Sequence, residues 1–433
     1  MTQSVPFSVA VALGLITLLA PVSVDMYLPS LPVMAEEMNT TYPAMQLTLM
    51  VFLLAMGAGQ IVFGPVIDAY GRRRPLLVAL AIFVVASLCA AVAHSVEALL
   101  LARLLQGLAA SLAIVTAMST VRDIASGVAA VQIFALLMTI QGLGPVMAPV
   151  LGGMIGAGLG WRAVFYFLAA LGAIVLANTF TRLPESLPPN KRSSLHPVQV
   201  WRTYVSIVMD RRFLVPGLAL SGVFFILFGY IGGASYVYQS FYGLPSREFG
   251  FIFGATGIAV LIGAIICARL VKTFDVERLA LAGVLAMLGG ALIGWVSVLV
   301  GIGLPGIVAG MILTLAGLGT AEATLTSIAL ASRASALGAS TALLGAVPLV
   351  LGAAATPLAA LLAEIGPAWW LAFLALAGVV TAGLTLASLR MVAARVFGSC
   401  STETGRGRFD EIQISIACPD LRCRRSAFCR GGV

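Results

Sequence analysis

Three ionisable side chains interrupt stretches otherwise suited to hydrocarbon: Asp25 in "PVSVDMYLP", Arg103 in "LARLLQGLAAS" and Glu322 in "GLGTAEATL". A charged group at the centre of a membrane helix costs about 2.5–3.5 kcal/mol on insertion scales, so one retained there is by default a functional group. A carboxyl group can take up and release a proton. Burial and a neighbouring guanidinium act on that proton in opposite senses, so a movement that alters either contact captures or frees it. Asp25 is therefore a candidate proton carrier, with a cap on its helix end as the alternative. Arg103 does not deprotonate and has no acceptor of its own. It needs backbone carbonyls, Gln106 or Asp25, unless it snorkels to the surface. Glu322 suits a proton or a cationic cargo, or else an ion pair with Arg333.

What positions these groups is a helical membrane scaffold. The 433 residues are 60% hydrophobic and only 10% charged, where soluble domains run near a quarter charged. About 20 mostly apolar residues span a bilayer as a helix. Such runs fall at 8–28, 45–67, 75–93, 97–119, 131–155, 163–181, 213–236, 250–271, 279–301, 305–328, 339–362 and 369–390. The fold class is an all-α polytopic membrane protein with twelve transmembrane helices in two six-helix halves. Residues 1–181 form the first half and 182–212 a basic, Pro-containing linker. Residues 213–392 form the second half, and 393–433 a tail expected to be disordered. The 46 glycines suit helices that approach closely in lipid. The first run has no Lys or Arg before it and is followed by more spans, so it reads as a retained helix rather than a cleaved leader.

Orientation follows from positive charge. With the N-terminus inside, the inner segments hold Arg72, Arg73, Arg74, Arg122, Arg182, Lys191, Arg192, Arg202, Arg211, Arg212, Arg269, Lys272, Arg278, Arg333 and the tail arginines from Arg390 on, against Arg162 and Arg247 outside. Both termini are expected to be cytoplasmic. The net charge of +8 is then topology, and no nucleic-acid partner is implied. The six cysteines form no Cys-x-x-Cys pair, and the two histidines, His94 and His196, sit in an outer loop and the linker. No metal site, no catalytic cluster and no Gly-x-x-x-x-Gly-Lys-Ser/Thr nucleotide loop is present in the sequence. The expectation is therefore no enzyme, no cofactor and no ATP, and no continuous polar stripe suggests a channel.

Three further stretches carry pattern. In "GPVIDAYGRRRPLL", Gly64 and Gly71 permit close helix approach and a tight turn, and Asp68 sits at a helix end, where a carboxylate can accept hydrogen bonds from a neighbouring helix N-terminus or pair with arginine. Arg72 to Arg74 stay at the headgroup level and attract anionic lipid. In "GLGPVMAPVLGGMIG" of the fifth span, Ala148, Gly152 and Gly156 make a small face for tight packing. Pro145 and Pro149 each remove a backbone donor there and favour a kink. The seventh span carries Phe224, Phe225, Phe228, Tyr230, Tyr236, Tyr238, Phe241 and Tyr242. The outer ones fit an interfacial belt, while Phe224, Phe228 and Tyr230 are candidates to line a cavity and stack on a planar amphipathic molecule.

Residues 5–392 resemble the major facilitator superfamily of transporters. Gly64, Asp68, Gly71 and Arg72 match its signature loop between helices 2 and 3, a latch that holds the two halves closed on the inner side. The equivalent loop of the second half, "RLVKTFDVERL", lacks the glycines. Arg103, Gln106 and Gly107 resemble its second motif. Gly144, Pro145, Pro149, Gly152 and Gly153 resemble the motif of drug/proton antiporters. "DMYLPSLP", "QLTL" and "YVYQSFYGLPSREFGFIFG" are similar to the Bcr/CflA subgroup of drug exporters. The resemblance implies proton-coupled efflux of small amphipathic drugs, chloramphenicol- or bicyclomycin-like, by a monomer in the bacterial inner membrane. Its partners are the drug, protons and membrane lipid, and no cofactor beyond the proton gradient is implied. A proton-linked transporter of a nutrient or metabolite on the same fold is the alternative.

Overall fold

A computed structural model describes residues 7–192, 197–332 and 337–403. Arg333, His196 and the tail beyond 403 lie outside the described residues. The first helix, α1 (Phe7–Asp25), is followed by a 3-10 turn (Leu28–Ser30) and the short α2 (Leu31–Glu37). Then come α3 (Tyr42–Tyr70), α4 (Arg73–Ala91), α5 (Val96–Ile124), α6 (Gly127–Leu159) and α7 (Trp161–Arg182). After α8 (Pro197–Val208) follow α9 (Arg211–Ser235), α10 (Ser246–Leu270), α11 (Val276–Leu299) and α12 (Leu304–Ala331). The last three are α13 (Leu337–Ala353), α14 (Ala355–Ile365) and α15 (Pro367–Glu403). Among the described residues, twelve helical segments are long and apolar enough to cross a membrane.

Local chemistry sets the helix ends. Thr41 and Ser95 accept from the backbone N–H of Ala44 and Ala98, capping α3 and α5. Gly71 (φ 91°) and Gly160 (φ 80°) end α3 and α6 in a backbone region open to glycine. The span read as 339–362 is split into α13 and α14. Pro357 cannot donate to the Ala353 carbonyl, and the Thr356 hydroxyl donates to it instead (3.0 Å). α15 runs on to Glu403, past the tail boundary read at 393, because "MVAARVF" is rich in helix-forming residues.

Contacts between the first six spans and the last six follow two seams, α3 against α13 and α14, and α6 against α10. We name the two faces of the bundle by their residues: the arginine-rich face bears Arg72–Arg74, and the opposite face bears Pro29. Near the opposite face the seams are closed by hydrogen bonds. Tyr42 and Gln46 both donate to the Gly232 carbonyl (2.9 and 3.1 Å), and Ser235 donates to the Leu28 carbonyl (2.7 Å). The Gly232 carbonyl is available because the Tyr236 N–H turns to Gly233 where α9 passes into a π-helical turn (Tyr236–Phe241). Further down, Gly57 meets Ala346 and Val350, and Gln60 meets Gly345. By Gly64 the space beside α3 is open. The α3 seam is therefore closely packed from the opposite face down to Gln60, and beyond it Gly64 faces open space.

Candidate functional site

Pro21 lies within α1, and the helix ends at Asp25. The side of α6 facing α1 is built from small residues, with Gly144 against Pro21, Gly152 against the Met26 backbone carbonyl and Gly156 against Ser30. The flank toward α10 carries the prolines. The Pro145 carbonyl, freed by Pro149, lies against Gly257, the Pro149 carbonyl against Gly250, and Gly153 against the Ser246 carbonyl. One helix thus braces the exit of α1 with one face and forms the seam with the other. The sequence-predicted packing face is in place, and its prolines serve the seam.

Asp25 is 4% exposed. It makes no hydrogen bond or ion pair with a described residue, so of the acceptors open to Arg103 it is not the one used. Its position at the C-terminal end of α1 also removes the capping alternative, because a helix C-terminus repels a carboxylate. Tyr27 and Tyr230 are close enough to feel its charge.

Arg103 is fully buried, so it does not snorkel. Its guanidinium lies between the Tyr27 ring (4.5 Å) and the Phe52 ring (4.3 Å). It donates to Gln106 Oε1 (2.9 Å), and Gln106 donates onward to Ser87 Oγ (2.7 Å). Its Nε and one terminal nitrogen have no acceptor. The Tyr27 hydroxyl shares a hydrogen bond with Thr48 (3.2 Å). A planar cation stacked on two rings is attracted by each at about 0.5–2 kcal/mol. Of the acceptors the sequence offers Arg103, Gln106 is the one used, and the two rings take the place of a counter-ion. Tyr27 and Thr48 fall in the stretches "DMYLPSLP" and "QLTL", which carry the resemblance but assign them no role, and Phe52 and Ser87 sit in apolar runs without a distinctive pattern.

Two aromatic candidates are not cavity residues. Tyr230 is 1% exposed, stacks on Phe253 (5.2 Å) and Trp370 (6.3 Å), and hydrogen-bonds Thr256 (3.0 Å). Phe228 is buried against Gly352. α9 is surrounded by α12, α13 and α14, which leaves only Phe224 of the three partly exposed. Glu322 is half-buried and has no partner among the described residues. The alternative pair with Arg333 lies outside the described residues.

On the arginine-rich face, Arg72 bonds Asp68 (2.6 Å) and Asp123 (2.9 Å). Glu185 accepts the backbone N–H groups of Arg72 (2.9 Å), Arg73 (3.1 Å) and Leu187 (3.0 Å). Against a desolvation cost, those bonds hold the Glu185 carboxyl below its ordinary pKa. Burial disfavours the Arg72 cation, yet the bonds to Asp123 and Asp68 raise its pKa. Gly71 is favoured here by its φ of 91°, and its bare Cα lets the Arg192 and Glu185 side chains close over it. A carbon added at Gly64 would meet nothing within 4 Å, so no close helix approach uses this glycine here. The expected latch residues Asp68, Gly71 and Arg72 are joined, together with Asp123 and Glu185, inside the first six spans and the following linker. Asp123 and Glu185 have no fixed spacing from Arg72 that would mark them in the sequence.

The Major Facilitator Superfamily pattern matches residues 13–347. The chain belongs to this family, one of transporters rather than enzymes. It is 34% identical over 264 residues to the uncharacterized MFS-type transporter YdgK of Bacillus subtilis, covering 60% of this chain and 66% of that one. It is 32% identical over 280 residues to the chloramphenicol resistance protein of Pseudomonas aeruginosa, covering 64% and 65%. To the bicyclomycin resistance protein homolog of Haemophilus influenzae it is 28% identical over 283 residues, covering 65% and 71%. The chain thus spans about two thirds of the length of these relatives. Its fold is similar to that of the human organic anion transporter MFSD10 (TM-score 0.66, 20% identity, covering 88% of this chain and 98% of that one).

Proposed function

We propose that this chain is a proton-coupled exporter of small amphipathic drugs, in which Asp25 carries the proton. The observation that carries the reading is the isolation of Asp25: a buried carboxyl group without an ion-pair partner, at a helix end braced by Gly152. Because Arg103 is held by Tyr27, Phe52 and Gln106, it does not fix Asp25 in the charged form by direct pairing. A carboxyl group kept from water changes protonation when its surroundings open or close. Each proton moved inward draws on about 2.3 kcal/mol per 100 mV of membrane potential, and no cofactor is needed.

The two halves, 1–181 and 213–392, tilt about the α3–α13 and α6–α10 seams, alternately opening each face. With both termini in the cytoplasm of a bacterial cell, the arginine-rich face is the inner one. The conformation described, with open space beside Gly64, then corresponds to access from inside. Relatives named for chloramphenicol and bicyclomycin resistance support that class of cargo. Glu322 and Phe224 are the second-half groups available to it.

The test is a susceptibility panel in cells stripped of their own pumps. Expression is expected to raise the inhibitory concentration of chloramphenicol- or bicyclomycin-like compounds, and an uncoupler to abolish the protection. Protection that survives the uncoupler contradicts proton coupling, and a panel with no protected compound contradicts drug export.

A further inference from the structure

Where α3 passes into α4, a cleft of about 410 Å³ is lined by Ala69, Tyr70, Arg74, Pro75, Val78, Leu112 and Arg192. We propose that it binds one anionic glycerophospholipid, with the phosphate diester between Arg74 and Arg192 and an acyl chain along the α4–α5 groove.

The three consecutive arginines are not equivalent. Arg72 is committed to Asp68 and Asp123. Arg73 donates to the Phe180 carbonyl (2.7 Å) and lies over its ring. Arg74 is exposed and forms no ion pair with a described residue. Arg192 reaches the cleft from the linker, and its Nε is buried without an acceptor. The Glu185 carboxylate, close enough to feel the Arg192 charge, is engaged by three backbone N–H groups and forms no ion pair with Arg192. Two guanidinium groups on one wall, at least one with unmet donors, call for a phosphate-type oxygen cluster, which accepts such donors in paired fashion.

The remaining wall decides the source of that phosphate. Ala69, Pro75, Val78 and Leu112 are apolar, and the cleft opens at the end of two membrane spans. From Val78 an exposed stripe continues through Ile82 and Val85 on α4, and from Leu112 through Leu105 and Leu101 on α5. Val78 to Val85 covers about 10 Å along the helix axis, a length suited to part of an acyl chain. A soluble phosphate would leave that stripe unused. A bound lipid also ties the linker at Arg192 to the first turn of α4, beside the Gly71 turn.

The test uses the full chain in nanodiscs holding equal amounts of phosphatidylglycerol and phosphatidylcholine, with retained lipid counted by native mass spectrometry. The wild-type chain is expected to retain phosphatidylglycerol preferentially. The double variant Arg74→Gln/Arg192→Gln is expected to lose that preference by about thirtyfold, from two arginines at the headgroup level, while Arg211→Gln keeps it. Glycerol 3-phosphate in the buffer is expected not to displace the lipid. The proposal is overturned if the wild type shows no preference, or if Arg211→Gln loses it equally, which would mean generic charge. Displacement by glycerol 3-phosphate would overturn it too, in favour of a soluble phosphate site.

Discussion

Gly152→Ala should leave the protein in the membrane and lower transport by about tenfold or more. A Cβ at this position would sit on the Met26 carbonyl oxygen, a backbone atom that no rotamer change can move aside. Overpacking of this kind costs about 1–3 kcal/mol, and 1.4 kcal/mol is a factor of ten. The displaced peptide directly follows Asp25, so the cost falls on the proton carrier. Gly158→Ala on the same helix is the control, because nothing lies within 4 Å of its added carbon. Transport normalised to membrane protein level reads the difference. Equal activity in the two variants would show that the exit of α1 relaxes freely and that the brace is unimportant.

Arg103→Lys should be nearly as damaging as Arg103→Leu, each costing transport about tenfold or more. The ring contacts at 4.5 and 4.3 Å use the flat guanidinium, and an ammonium on a flexible stem neither stacks this way nor offers the same fork of donors. Stability is expected to diverge from activity. Arg103→Leu removes a fully buried cation that lacks an anionic partner, so its melting temperature should hold or rise. A fall in melting temperature matching the fall in transport would make Arg103 a purely structural residue. Normal transport by Arg103→Leu would remove it from the mechanism.

The scaffold was plain in the sequence because membrane spans are long and their composition is unmistakable. The Gly71 turn was legible for the same kind of reason, since glycine before a run of arginines between two spans leaves few alternatives. Sequence reading failed where side chains on different helices meet. Asp25 and Arg103 share a depth on antiparallel spans, which suggested a pair. Tyr27, only two residues beyond Asp25, takes the position against the guanidinium instead. Tyr230 and Phe228 look like cavity residues on an isolated aromatic helix. Only the packing of α12, α13 and α14 around α9 shows that those faces are buried. The spacing of Gly64 in the loop motif reads as a contact glycine, yet a carbon added there would meet nothing within 4 Å.

The most direct measurement is drug flux in proteoliposomes holding the purified full chain, driven by an imposed pH difference. The wild-type chain is predicted to move a chloramphenicol- or bicyclomycin-like compound against its gradient with counterflow of protons. Asp25→Asn is predicted to abolish the pH-driven flux while still exchanging drug for drug when both sides are loaded. An Asp25→Asn variant that responds to the pH difference as the wild type does would contradict the account.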